Sequence, residues 1–310
     1  MKKLVLSLVM VVCAVNMVFA QAAPQRDVEG EEEKARRAEM NNRIDALRNN
    51  GKQRYVRDRY KEGRVYENRI RPLYRSNLTD SEKRLVEPAV ADQQEYQRFL
   101  KIKNTRIVKL LIDKGCDGGR EVAIVKPECE KLTMPGAGNS YSFRANRYSI
   151  KRLADLSFMG KYFDADGSIK HAILVNIGDV PLKDVNLKTK ELETLVTFKP
   201  ITKFKQAGQM STLLKNGVKS GNLIFSSIVK VEENKTYALR SIAYKTQVPK
   251  RVEDITYDEF DFDERDDVII AFRVVRLNEG KDVTIVWKQL KKKRSPKMRM
   301  PKELQELNLN

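Results

Sequence analysis

The chain has 310 residues, with 60 Lys and Arg against 42 Asp and Glu, and a formal net charge of +18. At 41% hydrophobic and 33% charged it can bury a core, which argues against full disorder, and it carries too much charge for a membrane bundle. One His, one Trp and three Cys leave few groups for nucleophilic or metal chemistry, and the length suits about one or two domains.

The first twenty residues read as a secretory signal. Lys2 and Lys3 form a charged start, Leu4 to Val15 is apolar apart from Ser7, and Val18-Phe19-Ala20 suits a signal peptidase. The apolar run is shorter than the roughly 20 residues a spanning helix needs. Cys13 does not make a lipid anchor, because bulky Val12 precedes it. Cleavage after Ala20 would deliver a mature chain to a secreted or periplasmic compartment and lower the formal charge from +18 to +16. Only Cys116 and Cys129 then remain, and two cysteines in an exported chain are expected to pair. The single histidine, His171, has no metal-ligand spacing to them, so no zinc site is expected.

Residues 21–30 are small and polar and predict disorder. Residues 31–115 predict a helical region of several short helices, since glycine and proline interrupt it. Met40, Ile44 and Leu47 form a narrow apolar stripe, closed by Asn49-Asn50-Gly51. Thr79 with Glu82 three residues later predicts a capping box. Tyr96, Leu100, Lys103, Ile107 and Leu110 recur at helical spacing, which predicts a helix stopped by Lys114-Gly115.

From 116 to 290 the texture becomes β-like. Ile173, Val175 and Ile177 alternate, as do Ile270, Phe272 and Val274, and Val283, Ile285 and Trp287. Asp166-Gly167, Glu233-Asn234 and Asn278-Glu279-Gly280 read as hairpin punctuation. One helix is expected near Ile201 to Leu214, stopped by Asn216-Gly217. No βαβ rhythm is present. The expected fold is therefore α+β, with a mostly antiparallel β domain, sheet or sandwich, after the helical region. Residues 291–310 predict a basic, flexible tail.

Two basic constellations suggest a ligand. Lys52–Arg75 holds nine basic residues and three acids, with tyrosines interleaved. Its candidate anion-binding residues are Arg54, Arg57, Arg59, Arg64, Arg69 and Arg71, with Tyr55, Tyr60 and Tyr66. Guanidinium forks suit phosphate or carboxylate, and aromatic faces accept stacking. The plainer alternative is a helical surface whose tyrosines pack on the β domain. Residues 288–301 hold Lys288, Lys291, Lys292, Lys293, Arg294, Lys297 and Arg299 and no acid. They suit an anionic envelope surface or, read plainly, a solvated tail.

Other motifs read as structural. The acidic run Asp258, Glu259, Asp261, Asp263, Glu264, Asp266, Asp267 lacks calcium-loop spacing and suggests internal charge balance, on a strand whose Phe260 and Phe262 turn inward. Asp164 to Ser168 lacks a closing Glu, and Gly136-Ala137-Gly138-Asn139-Ser140 lacks a third glycine, so each reads as a turn or loop. His171 reads as an ordinary strand residue. The expected function is an exported, non-catalytic binding or envelope-associated protein that engages an anionic polymer or surface, with no cofactor or metal. Nucleic acid is a weaker candidate partner, because export removes the chain from it. The rival expectation is a secreted hydrolase using carboxylates of the β domain.

Overall fold

The computed structural model describes Ala38, Glu39 and residues 66–116, 129–252 and 255–301. The chain divides into two compact units, Met1–Tyr55 and Val56–Asn310, and the β-sheets belong to the second.

Strands are numbered in chain order. A large antiparallel sheet joins β1 (Thr105–Leu111), β6 (Lys170–Gly178), β10 (Thr236–Ala243), β13 (Asp266–Asn278) and β14 (Asp282–Arg294). Its spatial order is β1-β14-β13-β10-β6. A smaller antiparallel sheet joins β2 (Ser140–Ser142), β3 (Arg147–Tyr148), β4 (Leu156–Phe158), β5 (Tyr162–Asp164) and β9 (Ile228–Lys230), in the order β3-β2-β4-β5-β9. Two short hairpins complete the set, β7 (Val218–Ser220) with β8 (Leu223–Phe225), and β11 (Pro249–Val252) with β12 (Ile255–Asp258). The fold is α+β and mostly β.

The large sheet is covered on both faces. On one face Val283, Ile285, Trp287, Ile270, Phe272 and Val274 pack against Tyr141, Phe143, Leu156, Phe158 and Phe163 of the smaller sheet and its flanks. Here the predicted strand phase holds. Each fully buried aliphatic contributes about 1.5–3 kcal/mol. On the other face Ile173, Val175 and Ile177 meet Leu182, Val185, Leu192, Leu195 and Leu214. Leu182 and Leu192 lie in 3-10 turns, Leu182–Asp184 and Lys190–Leu192, with Val185 just after the first, while Leu195 lies in α4 (Glu193–Thr197) and Leu214 in α5 (Phe204–Asn216). The helix expected from Ile201 to Leu214 is therefore α5, stopped at Gly217 with φ 84°.

Sealing both faces explains why β10 is buried along its whole length. Such a strand need not alternate in polarity. It also explains a correction. The region from Tyr96 to Leu110 is not one helix. Helices α2 (Val90–Glu95) and α3 (Gln97–Leu100) end there, Asn104 takes φ 61°, and β1 begins at Thr105. Ile107 faces the helical layer while Val108 and Leu110 face the smaller sheet. With both sides apolar, a run such as Ile107-Val108-Lys109-Leu110-Leu111 satisfies a helical period by accident.

Of the three hairpin signals, Asn278-Glu279-Gly280 joins paired strands, with Asn278 opposite Asp282. Asp166-Gly167 and Glu233-Asn234 instead carry the chain from the smaller sheet to the larger one, since β5 and β9 pair with each other and β6 pairs with β10. The capping box is present before α1 (Asp80–Leu85): the Thr79 hydroxyl accepts from the Glu82 amide, and the Glu82 carboxylate accepts from the Thr79 amide. Phe260 does not lie on a strand. It sits in a 3-10 turn, Glu259–Phe262.

Candidate anion-binding site

Cys116 and Cys129 form a disulfide, with Cα atoms 5.3 Å apart. In the Arg/Tyr segment, Arg54, Tyr55, Arg57, Arg59, Tyr60 and Arg64 lie outside the described residues, and Arg69 falls in a π-helical turn, Tyr66–Ile70. The C-terminal part packs onto the β domain. Ile70 and Tyr74 are buried, and the Tyr74 ring stacks on Phe262 at 4.3 Å. The Tyr66 ring lies 6.2 Å from the same phenylalanine. The Tyr74 hydroxyl donates to Glu259 at 2.8 Å, and burial pushes that phenol up. Arg71 is exposed and pairs with Glu67 at 3.0 Å. Arg75 pairs with buried Glu82. Burial alone would raise the Glu82 carboxyl. Hydrogen bonds from Arg75, Thr133 and the Thr79 amide outweigh it and hold the group at about 2.

Glu259, Asp263 and Asp267 of the acidic run are taken up in internal ion pairs, while Asp261 and Glu264 are exposed. Asp263 accepts from Arg144 and from Arg265, each at 2.9 Å. Arg144 also pairs with fully buried Asp155 at 2.7 Å. Burial would raise the Asp155 carboxyl, but Arg144, Lys170 and Ser241 hold it below the usual range. Asp267 takes Arg240 in a two-point grip at 2.8 and 2.9 Å, while Arg240 also donates to the carbonyls of Leu195 and Phe198. Glu259 accepts from Arg152 at 2.6 Å. Lys170, sealed among these groups, is pushed down to about 8 by burial. His171 sits in β6 between the Tyr244 hydroxyl and the Ala207 carbonyl, each at 2.9 Å, and burial lowers it.

The basic tail follows a different course. Residues Lys291–Arg294 finish β14, so this part is strand rather than loose chain. Lys292 pairs with Glu264 at 2.6 Å and Lys293 with Asp267 at 3.3 Å. The chain then continues as an ordered strap through Met300. The Lys245 amide donates to the Pro296 carbonyl, and the Met298 amide donates to the Lys245 carbonyl. The Arg299 amide donates to the Thr202 carbonyl at 2.7 Å. Buried Met298 anchors the strap beside Ala207, Ile242 and Tyr244, with Met300 packed alongside. Residues 302–310 lie outside the described residues.

The strap sets like charges in pairs. Lys203 bridges Arg299 and Lys245 bridges Lys297, both in parallel register. All four side chains are exposed, and no carboxylate lies within ion-pair distance of them among the described residues. Like charges on directly bridged residues repel. Lys203 is also the N-cap of α5, whose first turn holds no acid, so the positive end of that helix adds to the same field. Lys203 and Lys245 were missed in the sequence because only the fold brings them to the tail. The strap itself did leave a signal. Lys297-Met298-Arg299-Met300 alternates basic and apolar, the mark of an extended segment with one buried side.

Among the described residues no helix is long and apolar enough to cross a membrane. Comparison with known proteins found no match to a family model, to a curated protein sequence or to a solved structure.

Proposed function

We propose that this chain is an exported, non-catalytic protein that holds an extended anionic polymer or polyanionic surface across its C-terminal strap. The Arg/Tyr segment Lys52–Arg75 is a second contact. One observation carries the reading: two bridged cation pairs, Lys203 with Arg299 and Lys245 with Lys297, that the described residues leave without a carboxylate. Arg144, Arg240 and Arg265 are matched with acids in the interior, whereas these four are exposed and meet no acid among the described residues. An external polyanion would relieve their repulsion. Lys297 and Arg299 are two residues apart on extended chain, roughly 7 Å, which favours a ligand with charges repeated along a line. The signal segment and the single disulfide are consistent with an oxidising, extracytoplasmic location. The acids of 258–267 that pair with Arg144, Arg152, Arg240 and Arg265 are engaged in structure, which supports binding over carboxylate hydrolysis.

The test is elution from immobilised heparin across a salt gradient. Lys245→Glu/Lys297→Glu/Arg299→Glu is compared with Lys101→Glu/Lys103→Glu/Lys188→Glu, three exposed lysines elsewhere. Each lost contact removes about 0.7–0.9 from the slope of log affinity against log salt. The strap variant should elute at clearly lower salt than the control variant. Co-elution of the two variants would contradict the assignment.

A further inference from the structure

We propose that a second surface, on the outer side of β5, β8 and β9, docks onto an anionic phospholipid bilayer. It is separate from the strap and does not depend on it. Its apolar members stand in solvent: Ile224 is 61% exposed, Tyr162 48% and Ile228 41%. Pairing register places the cations among them. Ile224 lies opposite Lys219 in the β7–β8 hairpin, so both project from one face. Tyr162 lies opposite Lys230 and Ile228 opposite Asp164 in the β5–β9 pair. Ile224, Ile228, Lys230 and Lys235 line one open groove of about 770 Å³.

The acids on this face are accounted for. Asp164 lies 3.4 Å from Lys151, and Glu232 lies 3.4 Å from Lys230 and accepts from Asn176. Lys219 and Lys235 meet no carboxylate at ion-pair distance among the described residues.

Interleaved aliphatics, one tyrosine and lysines select the occupant. A soluble polyanion would neutralise the lysines and leave the isoleucines in water. A second copy of this chain would set the lysines against themselves across a two-fold axis. An anionic bilayer engages both. Isoleucine and tyrosine enter the headgroup boundary while lysines meet phosphate. Each lysine near such a surface contributes about 1 kcal/mol, or about fivefold in affinity.

The experiment is co-sedimentation of the full chain with vesicles of phosphatidylglycerol and phosphatidylcholine, against phosphatidylcholine alone. Wild type should bind the anionic vesicles only. Ile224→Asp/Ile228→Asp should weaken that binding at least tenfold and leave heparin elution unchanged. Lys219→Gln/Lys235→Gln should weaken it about 25-fold, two steps of about fivefold. Ile224→Leu should bind as wild type, and melting temperatures confirm that each variant is folded. Absence of vesicle binding by wild type, or vesicle binding unaffected by the isoleucine pair, overturns the proposal. So does a wild-type dimer that the isoleucine pair converts to monomer with vesicle binding intact. Loss of heparin binding in the strap variant bears on the strap alone, so the two assignments fail separately.

Discussion

The interior between the layers and the C-terminal strap handle positive charge in opposite ways. In the interior, Arg144, Arg240 and Arg265 are buried, and each meets a carboxylate and backbone carbonyls. On the strap, Lys203, Lys245, Lys297 and Arg299 are exposed and bridged to one another in like-charged pairs. A buried charge without a partner costs several kcal/mol, so the fold cannot leave one there. An exposed charge is screened over about 8 Å at physiological salt, so a crowded surface is tolerated at small cost. Solvent therefore permits what the core forbids. A crowd of surface cations is open to an external anion, whereas a buried cation cluster is matched by its own acids.

The largest effect is expected where a matched charge is unmatched. Arg144→Met removes the guanidinium that holds Asp155 and Asp263 and leaves those carboxylates inside the protein. It should cost about 3–5 kcal/mol. Denaturant unfolding measures it. Arg144→Met combined with Asp155→Asn should recover part of the loss if the charge imbalance is the cause.

A smaller effect tests the half-buried end of the Arg/Tyr segment. Glu82 is held at about 2 in the folded protein against an ordinary 4.5. A depressed carboxyl stabilises the fold above its unfolded value, and the contribution disappears as pH falls from about 4.5 to about 2. Glu82→Gln should lower stability at pH 7 by about 1–2 kcal/mol, through loss of the Arg75 pair and half of the capping box. It should also flatten the decline of stability across that acid window. A decline as steep as in wild type would assign it to other carboxylates.

Local signals were legible and long-range ones were not. The capping box rests on two side chains three residues apart, and the β13–β14 turn on three consecutive residues. The strand phase of Val283, Ile285 and Trp287 survives because polar Thr284 separates the first two and one sheet face decides all three. The edge strand β1 was hidden because apolar residues on both sides imitate a helix. Asp166-Gly167 and Glu233-Asn234 have turn chemistry, yet turn chemistry does not say whether the next strand pairs with the last one or crosses to another sheet. The strap was half visible. Its basic residues and its Met alternation are in the sequence, but Lys203 and Lys245 join it only through backbone bonds to distant segments.

The smallest energetic effect bears on the central claim. Reversing one member of each strap pair, Lys245→Glu/Arg299→Glu, replaces two repulsions by two exposed attractions of about 0.2–1 kcal/mol each. The direct measurement is the melting temperature of wild type and of this variant, each with and without excess heparin. A ligand that binds only the folded state raises its melting temperature in proportion to the logarithm of its concentration. The variant alone should melt at or slightly above wild type, and heparin should raise the variant by clearly less than it raises wild type. An equal heparin shift in both proteins would contradict the claim that the strap is where the polyanion sits.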